Sequence, residues 1–222
     1  MLLDSLALPA SNFVVHDTSY TTKLFKRDGK LTSVESIRNA SSYVWLALCI
    51  VWSLLSFSTK RTVQKQSAQS RIWYVALLIL GCFFIFYKGT INNWLDTRLV
   101  PLTPPAAWAG FVIVCFGIAF SIWARLVLGP NWSGVVTIKE GHTLIRRGPY
   151  RIVQHPIYTG ILLGMFGSAV QYGLLRSFLG VVLIAVGFSL KSRTEELFMV
   201  QQFGEQYLRY REQVRALVPF VF

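Results

Sequence analysis

The sequence predicts an all-α, polytopic membrane protein with about five transmembrane helices, the last two forming a helical hairpin. Hydrophobic residues make up 53% of the 222 positions and charged residues only 14%, whereas soluble domains carry about 25% charged residues. Long apolar stretches recur along the chain, and basic residues are grouped between them. Together these features are typical of a protein that crosses a bilayer several times.

The first three predicted crossings are residues 41–58, 72–90 and 106–128, each long enough to span a hydrocarbon core of about 30 Å. Aromatic residues lie near their ends, as in an interfacial aromatic belt: Trp73, Tyr74, Tyr87, Trp94 and Trp108. The apolar stretch from Ile157 to Leu190 would extend about 51 Å as one helix, which is too long for a single crossing. Polar residues interrupt it near Gln171, so it predicts a hairpin of helices 157–171 and 174–192.

The distribution of charge predicts which loops face the cytoplasm. The net charge is +12, and a group of basic residues without an intervening acid follows the first crossing: Lys60, Arg61, Lys65 and Arg71. A second basic group lies between Arg125 and Arg151. Basic loops between apolar spans indicate the cytoplasmic side and contact with membrane lipids. Because these groups interrupt hydrophobic helices, nucleic acid is not an expected partner.

Five crossings place the two termini on opposite sides, with loops 59–71 and 125–156 and the C-terminal tail in the cytoplasm. The N-terminal arm, residues 1–40, would then be external although it holds five Lys and Arg residues. A re-entrant or interfacial first segment would resolve this conflict. The arm has no Lys or Arg before Lys23 and lacks a long apolar core, which argues against a cleaved signal peptide.

The three cysteines do not predict a metal site. Cys49, Cys82 and Cys115 each lie inside an apolar span, where a cysteine usually packs as a small hydrophobe. The sequence has neither a CxxC pair nor a Cys/His pair at the spacing of metal ligands.

The polar cluster around His155 is the first candidate site. Uncompensated polar groups are costly in lipid, so a dense cluster beside apolar helices predicts a binding site. Pro156 biases His155 away from helical geometry and favours a helix that begins at Pro156, with N–H groups available to an anion. Three nearby arginines, Arg146, Arg147 and Arg151, fit contact with anionic lipid equally well.

The adjacent pair Glu195-Glu196 is the second candidate. Neighbouring helical residues point about 100° apart, so a catalytic carboxylate dyad is not expected. The pair lies where the last crossing leaves the membrane, close to the His155 loop if the hairpin forms. Carboxylates there suit an ammonium group or ribose hydroxyls. The alternative is a solvated cluster of salt bridges with Lys191 and Arg193. From Lys191 onward, apolar and polar residues alternate at helical spacing, which predicts an amphipathic helix on the cytoplasmic surface.

Several motifs follow one another in the C-terminal half of the chain. They are Leu128-Gly129-Pro130-Asn131-Trp132-Ser133-Gly134, Gly141-His142, the run from Gly148 through His155-Pro156-Ile157-Tyr158 to Gly160, Arg193-Thr194-Glu195-Glu196, Phe203-Gly204-Glu205-Gln206-Tyr207 and Pro219. In this order they resemble the isoprenylcysteine carboxyl methyltransferase family, and the resemblance covers about residues 125–222.

The resemblance implies an integral-membrane enzyme that uses S-adenosyl-L-methionine. Carried over by position, seven residues would bind the cofactor: Gly148, Tyr150, His155, Pro156, Tyr158, Glu195 and Glu196. The resemblance also implies two catalytic residues, Arg193 and Glu196. Arg193 would hold the substrate carboxylate. The sequence departs from the family at Gln154, where an arginine is usual, so anion binding at that position is not expected.

The function expected from the resemblance is methyl transfer to the carboxylate of an isoprenylated cysteine or a similar lipid-like acid. The chain then divides into the arm 1–40, transmembrane helices within 41–128, and a catalytic region 129–222 that holds the cofactor loop, the hairpin and the amphipathic helix. Methylation of a phospholipid amine or a thiol, a sterol-type membrane reductase and a non-catalytic membrane protein remain alternatives. The sequence does not determine the oligomeric state.

Overall fold

A computed structural model describes residues 18–57, 62–65, 68–132, 137–139 and 144–217 of the chain. Its helices are α1 (Thr18–Ser56), α2 (Ala68–Phe86), α3 (Pro104–Leu128), α4 (Pro156–Tyr172), α5 (Leu175–Phe203) and α6 (Glu205–Gln213). Short 3₁₀ turns occupy Gly129–Asn131 and Gly148–Arg151, and strands β1 (Thr62–Lys65) and β2 (Thr137–Lys139) form one antiparallel pair. The predicted all-α class is confirmed.

Helices α1 to α5 overlap the five predicted crossings in order, although α1 extends well beyond its predicted start. Among the described residues, three segments are long and apolar enough to cross a membrane, Leu31–Ser56, Pro104–Asn131 and Leu175–Phe203, and Arg71–Phe86 is a shorter apolar helix. Large apolar side chains point away from the core, for example Trp73 at 76% exposure and Phe116 at 66%. Such a surface would be unfavourable in water and is suited to lipid. The chain is a membrane protein, and the number of crossings stays a prediction.

The first helix begins at Thr18, well before the predicted first crossing at residue 41. Part of the predicted N-terminal arm is therefore helical and continuous with that crossing. Val34 and Ile37 are buried against Ala107 of α3, so this part of α1 packs on the helical bundle. Residues 1–17 of the arm lie outside the described residues.

The helices of the bundle pack through small residues. α3 and α4 meet where the Gly117 and Gly160 backbones approach so closely that a Cβ on either would lie 2.5 Å from the other's carbonyl oxygen. Gly81 of α2 and Gly180 of α5 make a similar approach. Without a hydrophobic driving force between helices in lipid, close backbone packing is a main source of helix association. These contacts fix the position of α4 and α5 within the bundle.

The predicted hairpin of the last two long helices is confirmed. α4 ends at Tyr172, and Gly173 follows with φ of +70°, a left-handed conformation that favours glycine. The Gly173 carbonyl accepts hydrogen bonds from the N–H groups of Leu99 and Val100. The side chain of Arg176 donates from Nε to Asp96 Oδ1 at 2.6 Å and is 3% exposed. The hairpin turn is therefore bound to the loop between α2 and α3.

The C-terminal half of the chain confirms the predicted amphipathic tail. α5 continues without a break past residue 192 to Phe203, and Gly204, at φ of +52°, separates it from α6. Tyr207 and Tyr210 on α6 are buried, and Val214, just beyond its end, is buried with them. The apolar face of α6 therefore covers the turn that leads into α4.

Candidate active site

The turn before α4 presents His155 at the entrance to the helix. Gly148 has φ of +59°, which favours glycine and starts the 3₁₀ turn that buries Pro149 and Tyr150. His155 precedes α4 with φ of −119° and ψ of 60°, and Pro156 occupies the first helical position. Proline there needs no N–H partner and disfavours helical geometry for the residue before it. The structure confirms the predicted helix start at Pro156.

The imidazole of His155 lies between the two adjacent glutamates of α5. Nδ1 is 3.4 Å from Glu195 Oε2, and Nε2 is 3.6 Å from Glu196 Oε1. The three side chains are 9%, 18% and 16% exposed, respectively. Instead of facing each other as a dyad, the carboxylates approach opposite nitrogens of one ring. The sequence predicted that the glutamate pair lies near His155 if the hairpin forms. It did not predict that both carboxylates approach the same imidazole ring.

The electrostatics of this cluster favour the imidazolium form. Burial alone would lower the pKa of His155, but the negative charges of Glu195 and Glu196 beside the ring outweigh burial and raise the pKa to about 8. Nε2 is buried and has no hydrogen-bond partner among the described residues, because 3.6 Å exceeds hydrogen-bonding distance. The cluster therefore holds a cation with one donor available to a further group.

Aromatic side chains form a wall beside the cluster. The ring of Tyr158 is nearly parallel to that of His155, with centroids 5.6 Å apart, and to that of Phe188, with centroids 4.6 Å apart. The Tyr158 hydroxyl donates to Glu195 Oε1 at 2.5 Å. Lys191 places Nζ 5.1 Å from the centre of the Tyr158 ring. One side of the cluster is therefore aromatic, and a cation lies at its edge.

The C-terminal helix contributes a charge that the sequence did not predict. Arg211 Nη1 on α6 is 3.6 Å from Glu196 Oε2, so Glu196 lies between an arginine and the imidazole. Phe188, Lys191 and Arg211 were not among the predicted site residues. Lys191 precedes Glu195 by one helical turn, and this i, i+4 spacing was a usable signal. Arg211 had no comparable signal, because its contact with Glu196 depends on the bend at Gly204.

The predicted site residues do not all meet in one place. His155, Pro156, Tyr158, Glu195 and Glu196 come together where the start of α4 meets the C-terminal part of α5. Tyr150 is 7% exposed and packs with Ala124 and Ile157, and Tyr158 borders the same group. Burial, with the nearby carboxylate of Glu195, raises the pKa of the Tyr150 hydroxyl above its usual range.

Gly148 and Arg193 are the two remaining predicted site residues. A Cβ on Gly148 would meet Val127 and Trp123 of α3, which makes this glycine part of the turn's packing. Arg193 is exposed on α5. Within the described part of the chain, no His, Cys, Asp and Glu side chains form a group of three that could hold a metal ion.

One family model matches the part of the chain that holds most of the candidate site. A family model described as phospholipid methyltransferase matches residues 105–206, a range that contains α3, the His155 turn, α4 and α5. His155 and the pair Glu195-Glu196 therefore lie within the matched region, whereas α1 and α2 lie outside it.

Individual relatives are more specific than the family model. The protein-S-isoprenylcysteine O-methyltransferase of Rattus norvegicus is 33% identical over 145 residues, which cover 60% of this chain and 50% of that protein. Protein-S-isoprenylcysteine O-methyltransferase A of Arabidopsis thaliana is 33% identical over 118 residues, covering 50% of this chain and 58% of that protein. The resemblance to the isoprenylcysteine carboxyl methyltransferase family is confirmed: this chain is a relative of those enzymes. It spans about half the length of the curated relatives it matches.

A solved structure of a eukaryotic intramembrane Ras methyltransferase, the isoprenylcysteine carboxyl methyltransferase, is also similar. The match has a TM-score of 0.43 and 21% sequence identity, and it covers 72% of this chain and 55% of that one. A likeness at this level adds nothing to the assignment by sequence.

Proposed function

We propose that this protein transfers a methyl group from S-adenosyl-L-methionine to the carboxylate of an isoprenylated cysteine or a similar lipid-like acid. One observation carries the proposal. His155, Glu195 and Glu196 form a nearly buried cluster at the membrane-helix junction, within the region shared with the methyltransferase family model. The names of the relatives supply the substrate class.

The residues of the pocket fit the proposed cofactor. Nε2 of His155 is a buried donor without a hydrogen-bond partner among the described residues. Glu195 and Glu196 offer carboxylate oxygens to an ammonium group or to ribose hydroxyls. The nearly parallel rings of Tyr158 and Phe188 form an aromatic border beside these polar groups. The imidazole and the two carboxylates match the charged and the sugar parts of the molecule.

The proposed reaction requires no general acid–base catalysis from the residues of this site. When bound, the cofactor supplies an electrophilic methyl group on a sulfonium. An acceptor carboxylate is already ionised near neutral pH, since its reference pKa is about 4, so no general base is required. The protein aligns the two reactants and excludes water, which together can supply much of the catalysis. In this proposal Glu196 anchors the donor and Arg193 holds the acceptor carboxylate.

The location of the site suits one soluble and one lipid-like reactant. The cluster lies at the entrance to α4 and near the end of α5, where apolar helix gives way to the amphipathic α6. A prenyl chain would enter between helices from the bilayer, and the soluble cofactor would enter from the cytoplasm. The cytoplasmic placement rests on the basic residues at this end of the molecule.

A phospholipid amine is the second candidate acceptor, because the matching family model is described as phospholipid methyltransferase. The product distinguishes the two candidates. A methyl ester is hydrolysed by base, whereas a methyl group on nitrogen or sulfur is stable to base.

The acceptor assay uses the purified full-length chain in lipid nanodiscs with methyl-labelled S-adenosylmethionine. Acetyl-farnesyl-cysteine, phosphatidylethanolamine and a thiol serve as parallel acceptors. We expect base-labile label on acetyl-farnesyl-cysteine only. Base-stable label on the lipid or the thiol would replace the carboxylate assignment, and transfer to none of them would oppose methyl transfer.

Thermal stabilisation by ligands separates the enzyme classes. We expect S-adenosylhomocysteine to raise the unfolding temperature and NADPH to leave it unchanged. Stabilisation by NADPH alone would support a sterol-type reductase, and stabilisation by neither would support a non-catalytic membrane protein.

A further inference from the structure

The segment that follows α5 folds back over the turn before α4. We call residues 205–217, which comprise α6 and the four residues after it, the C-terminal segment. Its backbone carbonyls accept three hydrogen bonds from the turn and the start of α4: Gln154 N–H to Arg215 at 2.8 Å, His155 N–H to Ala216 at 3.0 Å and Thr159 Oγ1 to Leu217 at 2.6 Å. The segment therefore lies directly against the residue that forms the imidazole cluster.

The side chain of Gln154 connects the two ends of this segment. Its Nε2 donates to the Val214 carbonyl at 2.5 Å, and its Oε1 accepts from the Tyr207 hydroxyl at 3.1 Å. Gln154 is 7% exposed and Tyr207 is 3% exposed, so neither partner could be replaced by bulk water. A buried polar group left without its partner costs about 1–3 kcal/mol.

Gln154 uses both a donor and an acceptor in these two contacts. The amide of glutamine has both, whereas the guanidinium of arginine, the residue expected from the family resemblance, has donors only. An arginine at position 154 could not accept the hydrogen bond from Tyr207. The departure from the family pattern thus matches a contact to this chain's own C-terminal segment.

The C-terminal segment also contains Arg211, which belongs to the candidate site. Arg211 lies on α6 between Tyr207 and Val214, and its Nη1 is 3.6 Å from Glu196 Oε2. The opposite oxygen of Glu196 faces Nε2 of His155 at 3.6 Å. Any displacement of α6 would therefore alter the charge that faces Glu196.

We propose that Gln154 is a positioning residue that fastens the C-terminal segment over the cofactor pocket, acting through Tyr207 and Arg211 without contacting the ligand. The expected effect of Gln154 on cofactor affinity rests on the proposed function. Its hydrogen bonds to the C-terminal segment do not depend on any ligand.

Gln154→Glu tests this role because its effect depends on pH. A protonated carboxyl has one donor and an acceptor and can replace the amide, whereas a carboxylate would face the Val214 carbonyl without a donor. Burial raises the pKa of such a group above its usual value near 4.3. We therefore expect the variant to resemble the parent protein at pH 5 and to differ from it at pH 8. Gln202→Glu, an exposed substitution on α5, adds the same charge as a matched control.

Two measurements are made on the full-length chain in nanodiscs at each pH. Hydrogen exchange of residues 205–217, without ligand, reports the fastening, and a titration with S-adenosylhomocysteine reports the pocket. At pH 8 we expect faster exchange and about tenfold weaker binding in Gln154→Glu than in the parent, equivalent to one lost hydrogen bond. At pH 5 both should match the parent.

Other outcomes of these measurements would contradict the proposed role of Gln154. Unchanged exchange in Gln154→Glu at pH 8, or the same change in Gln202→Glu, would overturn the proposal. Faster exchange with unchanged affinity would overturn the positioning role and leave a structural one. If the parent binds no S-adenosylhomocysteine, the proposed function fails, while the exchange data still decide whether Gln154 fastens the segment.

Discussion

At the scale of single residues, the cluster depends on one imidazole that two carboxylates share. Adjacent residues of a helix point in different directions, which is why one glutamate can approach Nδ1 and the next Nε2 of the same ring. Tyr158 adds a hydroxyl to Glu195, and Arg211 adds a charge to Glu196. Each carboxylate thus has a second partner that holds it against the ring.

The protonation of His155 predicts how stability depends on pH. Its pKa in the folded protein is raised to about 8 from 6.5. The shift stabilises the folded state by about 2 kcal/mol. This contribution is complete below pH 6.5 and is lost as the pH rises towards 8 and beyond. The unfolding temperature of His155→Gln, measured without ligand between pH 6 and 9, should lack this part of the pH dependence. Parallel curves for the variant and the parent protein would contradict the ion pairing.

The sequence indicated only part of this network. His155, Tyr158 and the glutamate pair could be predicted because their motifs are local and the hairpin brings them together. Gln154, Tyr207 and Arg211 could not be assigned roles, because their contacts join residues far apart in the sequence and depend on the bend at Gly204. No periodic pattern reports a contact of that kind.

At the scale of elements, the position of α4 determines where His155 and Tyr158 lie. α4 is 17 residues long and lies against α3 through backbone-to-backbone contact at Gly160. Ser121 of α3 also donates to the Ile157 carbonyl at 2.8 Å. The apolar stretches of the sequence predicted both helices. The distance between the helix axes could not be predicted, because it depends on which glycines face each other.

Gly160→Ala should therefore destabilise the protein. Its Cβ would lie 2.5 Å from the Gly117 carbonyl oxygen and 2.6 Å from Ser121 Oγ, so the helices must move apart. We expect a loss of about 1–3 kcal/mol, measured as a lower unfolding temperature in detergent. Gly29→Ala, where no atom lies within 4 Å, is the control and should be neutral or slightly stabilising. Equal effects of the two substitutions would contradict the close packing of α3 and α4.

At the scale of the whole molecule, the two ends of α5 have different partners. Arg176 near its start is bound to Asp96 of the α2–α3 loop, and Glu195 near its end belongs to the candidate site. Nineteen residues of helix separate the two positions by about 30 Å, which is the thickness of a hydrocarbon core. The loop and the site are thus expected on opposite sides of the membrane.

Labelling of single cysteines tests this arrangement in intact cells. In a background without the three native cysteines, Asn93→Cys and Glu212→Cys each place a thiol at an exposed position, in the α2–α3 loop and on α6. An impermeant maleimide should label Asn93→Cys from outside and reach Glu212→Cys only after the cells are opened. Labelling of both from outside would contradict the crossing of α5 and the cytoplasmic placement of the site.

The whole account depends on a pocket that His155 and Glu196 form together. The deciding measurement is a calorimetric titration of S-adenosylhomocysteine into the parent protein, His155→Ala, Glu196→Ala and the exposed control Glu205→Ala, each first shown to be folded in detergent. We predict that the parent and the control bind alike. Each pocket variant should lose at least about tenfold in affinity, since a hydrogen bond to a charged group contributes about 1.5–3 kcal/mol. Four indistinguishable titrations would contradict the assignment of the cofactor to this cluster.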